Sequence, residues 1–333
     1  MVTIAVDMMG SDLGPEELAN GVVNYLHINP EVEFICFGDE SRLIYLKGLD
    51  RVKIVNTTQV VPMETDVLGF LRLKDSSMYK AIQAVKSGEA QGIVTAGSTG
   101  GFLTGSTLLL KNIPGVQRAG FCSPFPTIVK NKPVLILDIG ASNQNTAQEL
   151  VGFAKLGSIY SKLFFDVKNP KVQLLCNGVE EGKGLEETKG AYKILKEMHS
   201  DEFDFEGNIE PRDVLNGDCD VVVTTGYPGN VFLKSTEGAA QMMGALMKKA
   251  FKKNLWTKIG YLFAKKGFDE LKETMDYKKT GGAILLGING VAVKTHGNSN
   301  AYFFYYSLDL VFRMVKSGIV QKIEESFKDE GKK

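Results

Sequence analysis

Residues 2–12, VTIAVDMMGSD, decide the fold, because a short apolar strand, Val2–Val6, runs directly into a turn that contains glycine. A helix is predicted soon after that turn, over Glu16–Leu26. The same unit of strand, glycine-rich turn and helix returns along the chain. Such alternation is typical of a wound α/β sheet that is covered by helices.

Short runs rich in β-branched residues predict the strands of this sheet. They are Val2–Val6, Glu33–Phe37, Val52–Val55, Gly92–Thr95, Val134–Leu137, Val172–Leu175, Val221–Thr224, Ala283–Leu286 and Val291–Lys294. Most are continuously apolar, which fits parallel strands buried on both faces. Further helices are predicted at Ser77–Ser87, Thr146–Leu163, Glu186–Met198 and Ala301–Phe327. Because no repeat, low-complexity tract or Pro/Ser-rich linker interrupts the pattern, we expect one domain over residues 1–333.

Composition narrows the class of protein. The 333 residues carry 39 Lys+Arg against 39 Asp+Glu and are 44% hydrophobic, which excludes global disorder and argues against a nucleic-acid binder. The first residues show no secretory signal and no run reaches the roughly 20 apolar residues of a membrane span, so we expect a cytoplasmic protein. Four scattered cysteines and three histidines without an HExxH motif predict reduced thiols and no metal site.

Glycine-rich loops follow many of the predicted strands. They lie at residues 7–12, 95–101, 138–143, 177–178, 226–230, 281–282 and 296–299. In an open parallel sheet, ligands bind beyond the carboxyl ends of the strands, and glycine lets a ligand approach the backbone closely. The next helix offers free N–H groups to an anion. We therefore expect a shared cleft, although neither GxGxxG nor GxxxxGK[ST] supports a nucleotide site.

One segment departs from the overall charge balance. Residues 238–268 contain no Asp or Glu but carry Lys248, Lys249, Lys252, Lys253, Lys258, Lys265 and Lys266. Apolar residues recur there every four positions, at Met243, Met247, Phe251, Leu255 and Ile259, beside Trp256. This pattern predicts a basic amphipathic helical protrusion over about residues 238–275. Three contacts remain open for this helix: an anionic membrane, the core or a second subunit, and an acidic protein partner.

The loops, in their order, resemble the phosphate acyltransferase (PlsX) family of bacterial phospholipid synthesis over nearly the whole chain. The matching residues are 7–15, 72–78, 97–100, 137–141, 180–184, 229–231 with Lys234 and 237–238, 281–287 and 296–297. The sequence departs from the family pattern at Leu13, Ser98 and Thr225, where the family has His, Asn and Asp.

The resemblance implies a three-layer α/β/α sandwich with a mostly parallel, Rossmann-like sheet, related to phosphotransacetylase and to the isocitrate and isopropylmalate dehydrogenases. It implies transfer of a fatty acyl group from acyl carrier protein to inorganic phosphate, without a cofactor. A membrane glycerol-3-phosphate acyltransferase would then use the acyl phosphate. The family is dimeric and associates peripherally with the membrane. The basic segment is therefore expected to contact a membrane or a second subunit through Met247, Phe251, Lys252, Leu255 and Trp256.

The same resemblance suggests the site residues. Phosphate is the nucleophile, so no serine or cysteine nucleophile is required, in agreement with the absence of GxSxG. Candidates for polarising the thioester or handling charge and protons are His296, Asn230 and Lys183. Candidates for binding phosphate are Asp7, Gly10, Arg72, Lys74, Ser76, Ser77, Gly97, Ser98, Thr99, Gly100, Asp138 and Asn143. For Asp7 and Asp138 the alternative is helix capping, and for Arg72, Lys74 and Lys183 it is an exposed surface charge.

Two other functions remain open at this point. The first is a nucleotide-dependent dehydrogenase of related fold. The second is a non-catalytic adaptor that binds a membrane or a carrier protein.

Overall fold

The computed structural model describes residues 1–198, 200, 202–274 and 277–328. The strands are β1 (Val2–Asp7), β2 (Val32–Gly38), β3 (Val52–Asn56), β4 (Gly92–Thr95), β5 (Gly120–Phe125), β6 (Val134–Leu137), β7 (Lys171–Leu175), β8 (Asp204–Ile209), β9 (Val221–Val223), β10 (Ala283–Leu286) and β11 (Val291–Lys294). Within the described residues they form one 11-stranded sheet in the order β3-β2-β1-β4-β11-β10-β5-β6-β9-β7-β8.

The sheet consists of two parallel halves that run in opposite directions. Strands β3, β2, β1, β4 and β11 are mutually parallel, as are β6, β9, β7 and β8. Between the halves, β10 pairs antiparallel with both β11 and β5, and β5 pairs antiparallel with β6. The mostly parallel sheet is thus confirmed, with a reversal at its centre.

Helices cover both faces of the sheet. The α-helices of the described residues are α1 (Pro15–Ile28), α2 (Val67–Arg72), α3 (Ser77–Lys86), α4 (Thr99–Leu110), α5 (Ala147–Phe164), α6 (Glu186–Glu197), α7 (Gly226–Phe251), α8 (Leu255–Thr274), α9 (Ala301–Ser317) and α10 (Ile319–Lys328), of which α8 and most of α7 extend away from the sheet. Strand side chains alternate between two apolar clusters because successive residues point to opposite faces. Helices α1, α5, α6, α9 and α10 pack on one face, and α2, α3 and α4 pack on the other. This three-layer arrangement confirms the predicted fold class.

The predicted strands all correspond to observed ones, but some elements were missed or joined. Strands β5 and β8 were not predicted, since β5 contains Pro124 and β8 is a polar edge strand that contains Gly207. The helix predicted over Ala301–Phe327 is wrong as one element. Gly318 adopts a left-handed conformation with φ 66° and separates α9 from α10.

The predicted basic helix is also two helices. Helix α7 ends at Phe251, and Asn254 and Thr257 exchange side-chain hydrogen bonds with each other's backbone N–H at 2.9 and 3.1 Å to start α8. Phe251 then packs in the angle between the helices, with its ring centroid 4.6 Å from that of Phe268 and 5.3 Å from that of Tyr261. We call residues 238–274 the arm; the last residue of the predicted protrusion, Met275, lies outside the described residues.

Among the described residues, no helix combines the length and the hydropathy that crossing a bilayer requires. The four cysteines are buried and unpaired in the described structure.

Candidate active site

Loops from both halves of the sheet meet at one cleft over its centre. The central strands β10, β11 and β6 have only four residues each, about 13 Å of chain, so the carboxyl ends of the opposed halves lie close together. The resulting cleft has a volume of about 320 Å³. Its polar lining comes from Thr99 on one side, Asn230 and Lys234 on the other, and Lys294, Thr295 and His296 at the end of β11.

Asp7 holds the loops on the first side of the cleft together. Its buried carboxylate accepts hydrogen bonds from the Thr95 hydroxyl at 2.6 Å and from the Met9 N–H at 3.2 Å. Burial raises the pKa of Asp7, while these hydrogen bonds and the charge of Lys294 act in the opposite direction. Asp7 therefore positions the loops rather than lining the cleft.

Glycine is required where these loops touch. A Cβ added to Gly10, which has φ +82°, would lie 3.0 Å from the Cα of Gly97. A side chain at Gly10 would push the two loops apart, and a Cβ on Gly97 would lie 2.9 Å from the Met78 Cε, so both glycines permit close packing.

Asp138 organises the loop on the opposite side in the same way. Its fully buried carboxylate accepts hydrogen bonds from five donors: the N–H groups of Phe121, Gly140, Ala141 and Ser142 and the hydroxyl of Ser142, at 2.8 to 3.1 Å. Burial raises the pKa of Asp138, against these hydrogen bonds. With its oxygens engaged inside the protein, Asp138 shapes the loop at Gly140 that lines the cleft.

Helix α7 packs tightly against that loop. A Cβ on Gly229 would lie 1.8 Å from the carbonyl oxygen of Asp138, and one on Gly226 would lie 2.1 Å from that of Ser142. These glycines let α7 begin directly beside the loop. Directly after Gly229, α7 presents Asn230 to the cleft, and one turn later it presents Lys234.

Lys294 is the buried cation of the site. Its Nζ donates to the carbonyl oxygen of Ala96 at 3.4 Å and to that of Thr295. Burial lowers the pKa of Lys294 from 10.5 to about 8; the nearby Asp7 opposes this shift and Lys234 adds to it. A buried, weakly compensated cation of this kind is suited to receive an anionic ligand.

A carboxylate links Lys234 and His296 at the edge of the cleft. Glu237 Oε1 lies 3.4 Å from His296 Nε2, and its Oε2 lies 3.3 Å from Lys234 Nζ. These contacts, the His296 hydrogen bond first, lower the pKa of Glu237. The carboxylate is therefore ionised at neutral pH and fixes the imidazole at the edge of the cleft.

The structure brings together only some of the residues predicted from the sequence. Thr99, Asn230 and His296 line the cleft. Gly10, Gly97, Asp7 and Asp138 shape its loops. Ser76 and Ser98 cap α3 and α4 through hydrogen bonds from Tyr79 N–H at 3.3 Å and Gly101 N–H at 3.1 Å.

The other predicted residues do not line this cleft. Ser77 is buried beside Asp7, and its hydrogen bond lowers the pKa of that carboxyl. Arg72, Lys74, Gly100, Asn143 and Lys183 are exposed. Of the two remaining histidines, His27 is exposed on α1 and His199 lies outside the described residues.

Sequence reasoning missed Lys294 and Glu237 as site residues. The signal for Lys294 is a lysine that ends the otherwise apolar, fully buried strand Val291–Lys294. Glu237 gives a weaker signal, because it is one of many charged residues on a long and largely exposed helix.

The fold matches that of solved phosphotransacetylases and related enzymes. The phosphotransacetylase from Streptococcus pyogenes superposes with a TM-score of 0.60 at 17% identity, covering 94% of each chain. The branched-chain phosphotransacylase from Enterococcus faecalis V583 gives a TM-score of 0.58 at 17% identity, covering 95% of this chain and 99% of that one. The fold is therefore of the phosphotransacetylase class.

Sequence comparison narrows that class to one family. The family model described as "Fatty acid synthesis protein" matches residues 2–322. A phosphate acyltransferase from Pediococcus pentosaceus is 40% identical over 328 residues, covering 97% of this chain and 94% of the relative. One from Rhizobium meliloti is 37% identical over 331 residues, covering 97% and 95%. The chain belongs to this family of fatty acid synthesis proteins, the phosphate acyltransferases.

The resemblance noted in the sequence is thus confirmed, as is the prediction of an acyltransferase. The alternatives are not favoured. A 4-hydroxythreonine-4-phosphate dehydrogenase from Klebsiella pneumoniae also superposes, with a TM-score of 0.53, but at 11% identity this shows a shared fold alone.

Proposed function

We propose that the chain transfers a fatty acyl group from acyl carrier protein to inorganic phosphate in the cleft around Lys294. An oxygen of hydrogenphosphate attacks the thioester carbonyl carbon, a C–O bond forms and the C–S bond breaks. The carrier thiolate takes up the proton that the hydrogenphosphate loses. The products are acyl phosphate and free carrier. The observation that carries this proposal is that Lys294, Lys234 and His296 converge with the first residue of α4 in one cleft.

The charges of the cleft suit phosphate as the nucleophile. Lys294 and Lys234 supply cations, and the start of α4 at Thr99 supplies the positive end of a helix dipole. Phosphate already carries negative charge at neutral pH, so holding and aligning it matters more than removing a proton. None of the described residues lining the cleft is a cysteine or serine that would compete as a nucleophile.

Asn230 and His296 are placed to act on the thioester. Both are hydrogen-bonding side chains at the cleft wall, and Glu237 orients the imidazole. We assign them to stabilising negative charge on the carbonyl oxygen in the transition state. Removing one such donor typically costs about 10²–10³-fold in kcat.

The deciding experiment incubates the purified protein with palmitoyl-acyl carrier protein and phosphate, and traps acyl phosphate with hydroxylamine. We expect hydroxamate only when phosphate is present, and a large loss of it in Asn230→Ala. Lys183→Met is the matched comparison, because that lysine was predicted from the sequence but does not line the cleft; we expect it to retain activity. Hydroxamate that forms equally without phosphate would reject the proposal.

We also propose that the arm rests on an anionic membrane surface, where the acyl phosphate product would be passed to a membrane glycerol-3-phosphate acyltransferase. Large apolar side chains stand exposed on it, with Trp256 at 81% and Phe263 at 88%. Exposed apolar patches mark interaction sites. The seven lysines of residues 238–268, a stretch of the arm without Asp or Glu, favour anionic lipid by about 1 kcal/mol each near the surface. Of the contact residues predicted from the sequence, Lys252, Leu255 and Trp256 are exposed, Met247 is half-buried, and Phe251 packs inside the arm.

Vesicle co-sedimentation tests this surface. Binding to phosphatidylglycerol vesicles should exceed binding to phosphatidylcholine vesicles and weaken with salt. Trp256→Glu combined with Lys252→Glu should lose binding, whereas Tyr45→Glu with Lys86→Glu, the same chemistry outside the arm, should not. Equal loss of vesicle binding in the two variants would contradict a lipid contact through the arm. If the arm variant instead dissociated a dimer and still bound lipid, the arm would be assigned to a second subunit.

A further inference from the structure

Asn145 ties the loop after β6 to the start of α7. Its side chain is buried, and its Oδ1 accepts a hydrogen bond from the Gly226 N–H at 3.3 Å. The Ser142 hydroxyl lies 2.9 Å from the same oxygen. On its other side, Asn145 Nδ2 donates to the Glu149 carboxylate at 3.1 Å. One amide thus joins the loop that Asp138 organises, the first turn of α5 and the first turn of α7.

The partners of this amide fix its orientation. A carboxylate can only accept hydrogen bonds, so the nitrogen of Asn145 must face Glu149. The oxygen then faces Gly226, whose backbone N–H can only donate. Asn145 is therefore held in the position that α7 requires.

The first turn of α7 depends on this contact. Thr225 occupies the N-cap position but makes no side-chain cap hydrogen bond within the described structure. The family pattern has Asp at this position, and Asp is among the residues that cap helices best. Here the oxygen that meets the first N–H of α7 comes instead from a residue 81 positions away in the chain.

We infer that Asn145 is a positioning residue for acyl transfer and sets the place of Asn230. Asn230 lies one turn after Gly226 on α7 and lines the cleft, whereas Asn145 is not among the described residues that line it. Asn230 also meets the loop that Asn145 holds, since a Cβ added to Gly140 would lie 3.4 Å from the Cβ and the Cγ of Asn230. The inference rests on the proposed reaction, in which Asn230 stabilises negative charge on the carbonyl oxygen.

The place of Asn230 matters because a donor stabilises an oxyanion only at hydrogen-bond distance from it. Without the Asn145 amide, the Gly226 N–H and the Ser142 hydroxyl lose their shared acceptor. The loop and the helix can then move apart where Asn230 lies between them and the cleft. A misplacement of about 1 Å can cost about 10²-fold in rate.

A double-mutant cycle tests the inference. We would measure kcat with palmitoyl-acyl carrier protein, by hydroxamate trapping, in Asn145→Ala, Asn230→Ala and the double variant. Asn145→Ala should lower kcat by about tenfold, less than the cost of a full 1 Å misplacement, with little change in the KM for phosphate. In the Asn230→Ala background it should have no further effect, because the side chain that it positions is gone.

Thr146→Ala is the matched control at the neighbouring position. It removes the hydroxyl that accepts from the Glu149 N–H at 3.2 Å and caps α5, but it leaves the bond between Asn145 and Gly226 in place. It should lower the melting temperature, as Asn145→Ala does, and keep the wild-type kcat. Ser142→Ala is a milder variant that loosens the same amide from the side of the loop, and it should lower kcat only where Asn230 is present.

Three results would overturn the inference while acyl transfer itself stood. They are a wild-type kcat in Asn145→Ala, an equal loss of kcat in Thr146→Ala, and the same fold-loss with and without Asn230. If Asn145→Ala did not fold, the same cycle with Ser142→Ala would decide, and additive effects there would overturn the inference. Absence of phosphate-dependent hydroxamate from the wild type would instead reject the proposed reaction.

Discussion

Replacing Lys294 by methionine tests the centre of the cleft, because it removes the buried cation and keeps a side chain of similar length. The ammonium group lies just below the loop that follows β4, within 3.4 Å of the Ala96 carbonyl oxygen. Two unit charges about 4 Å apart interact by about 4 kcal/mol at an effective dielectric constant of about 20. If Lys294 contacts phosphate, kcat/KM for phosphate should fall by about 10³-fold.

The pH profile provides a second readout of the same group. The pKa of Lys294 is lowered to about 8, so the binding form is protonated below that pH and is lost above it. Measured by hydroxamate formation, kcat/KM for phosphate should fall by about tenfold per pH unit above this value. In Lys294→Arg the guanidinium stays charged, so kcat/KM for phosphate should no longer fall above pH 8, even if the absolute rate is lower.

The free energy of unfolding shows whether a Lys294 variant loses activity through misfolding. Because the pKa is lower in the folded protein than the value of 10.5 expected in the unfolded chain, the buried charge costs stability below about pH 8. That cost disappears as the pH rises toward 10.5. At pH 7, Lys294→Met should therefore raise the free energy of unfolding, measured in urea, by up to about 3 kcal/mol. The gain is reduced by the favourable charge interaction with Asp7 that is lost together with the lysine. A folded Lys294→Met with nearly wild-type kcat/KM for phosphate would refute the reasoning.

Three further substitutions have defined outcomes. Glu237→Gln should lower kcat by roughly tenfold with little change in KM, because His296 loses its orienting partner; steady-state kinetics that show only a KM effect would contradict this. Ser98→Ala should lower the free energy of unfolding by about 1 kcal/mol in urea titration, as loss of a helix cap, and should leave the KM for phosphate unchanged; a raised KM would make the hydroxyl a phosphate ligand. Gly229→Ala should destabilise by about 3 kcal/mol or more, since the added methyl carbon would lie 1.8 Å from a backbone oxygen. Gly238→Ala on the same helix, with open space among the described residues, should be neutral or slightly stabilising, and equal melting temperatures for these two variants would show that the contact can relax.

The strands were predictable because burial leaves a local signature. Val134–Leu137 is continuously apolar and Val291–Lys294 is apolar except for its final lysine, and the structure buries both strands on both faces with the predicted bounds. Strand β5 gave no such signature, because Gly120 and Pro124 weaken the pattern, although it lies at the centre of the sheet. Helix α7 was missed at its start for a similar reason, since its first turn contains glycine and proline.

The site was predictable only in part, because residue type does not show whether a polar side chain faces the cleft or forms hydrogen bonds within the protein. Ser98 and Asp138 were expected to contact phosphate, yet their hydrogen bonds are made within the protein, to Gly101 N–H and to the loop at residues 140–142. Lys294 is one of 39 lysines and arginines and has no distinguishing motif, whereas its burial, seen only in the structure, makes it a cation that an anionic ligand would stabilise.

By itself, the sequence determined the α/β class, the glycine loops, the family and the acid-free segment that forms most of the arm. All of these depend on patterns within a few tens of residues or on motif order. The tertiary structure decided where those loops meet. Strands β10 and β5 pair antiparallel across 162 to 166 residues of chain, and this pairing turns one half of the sheet against the other. That reversal places Asn230 opposite Thr99 in the cleft. Hydrogen bonds between such distant strands have no local signature, because each strand is equally buried whichever way its neighbour runs.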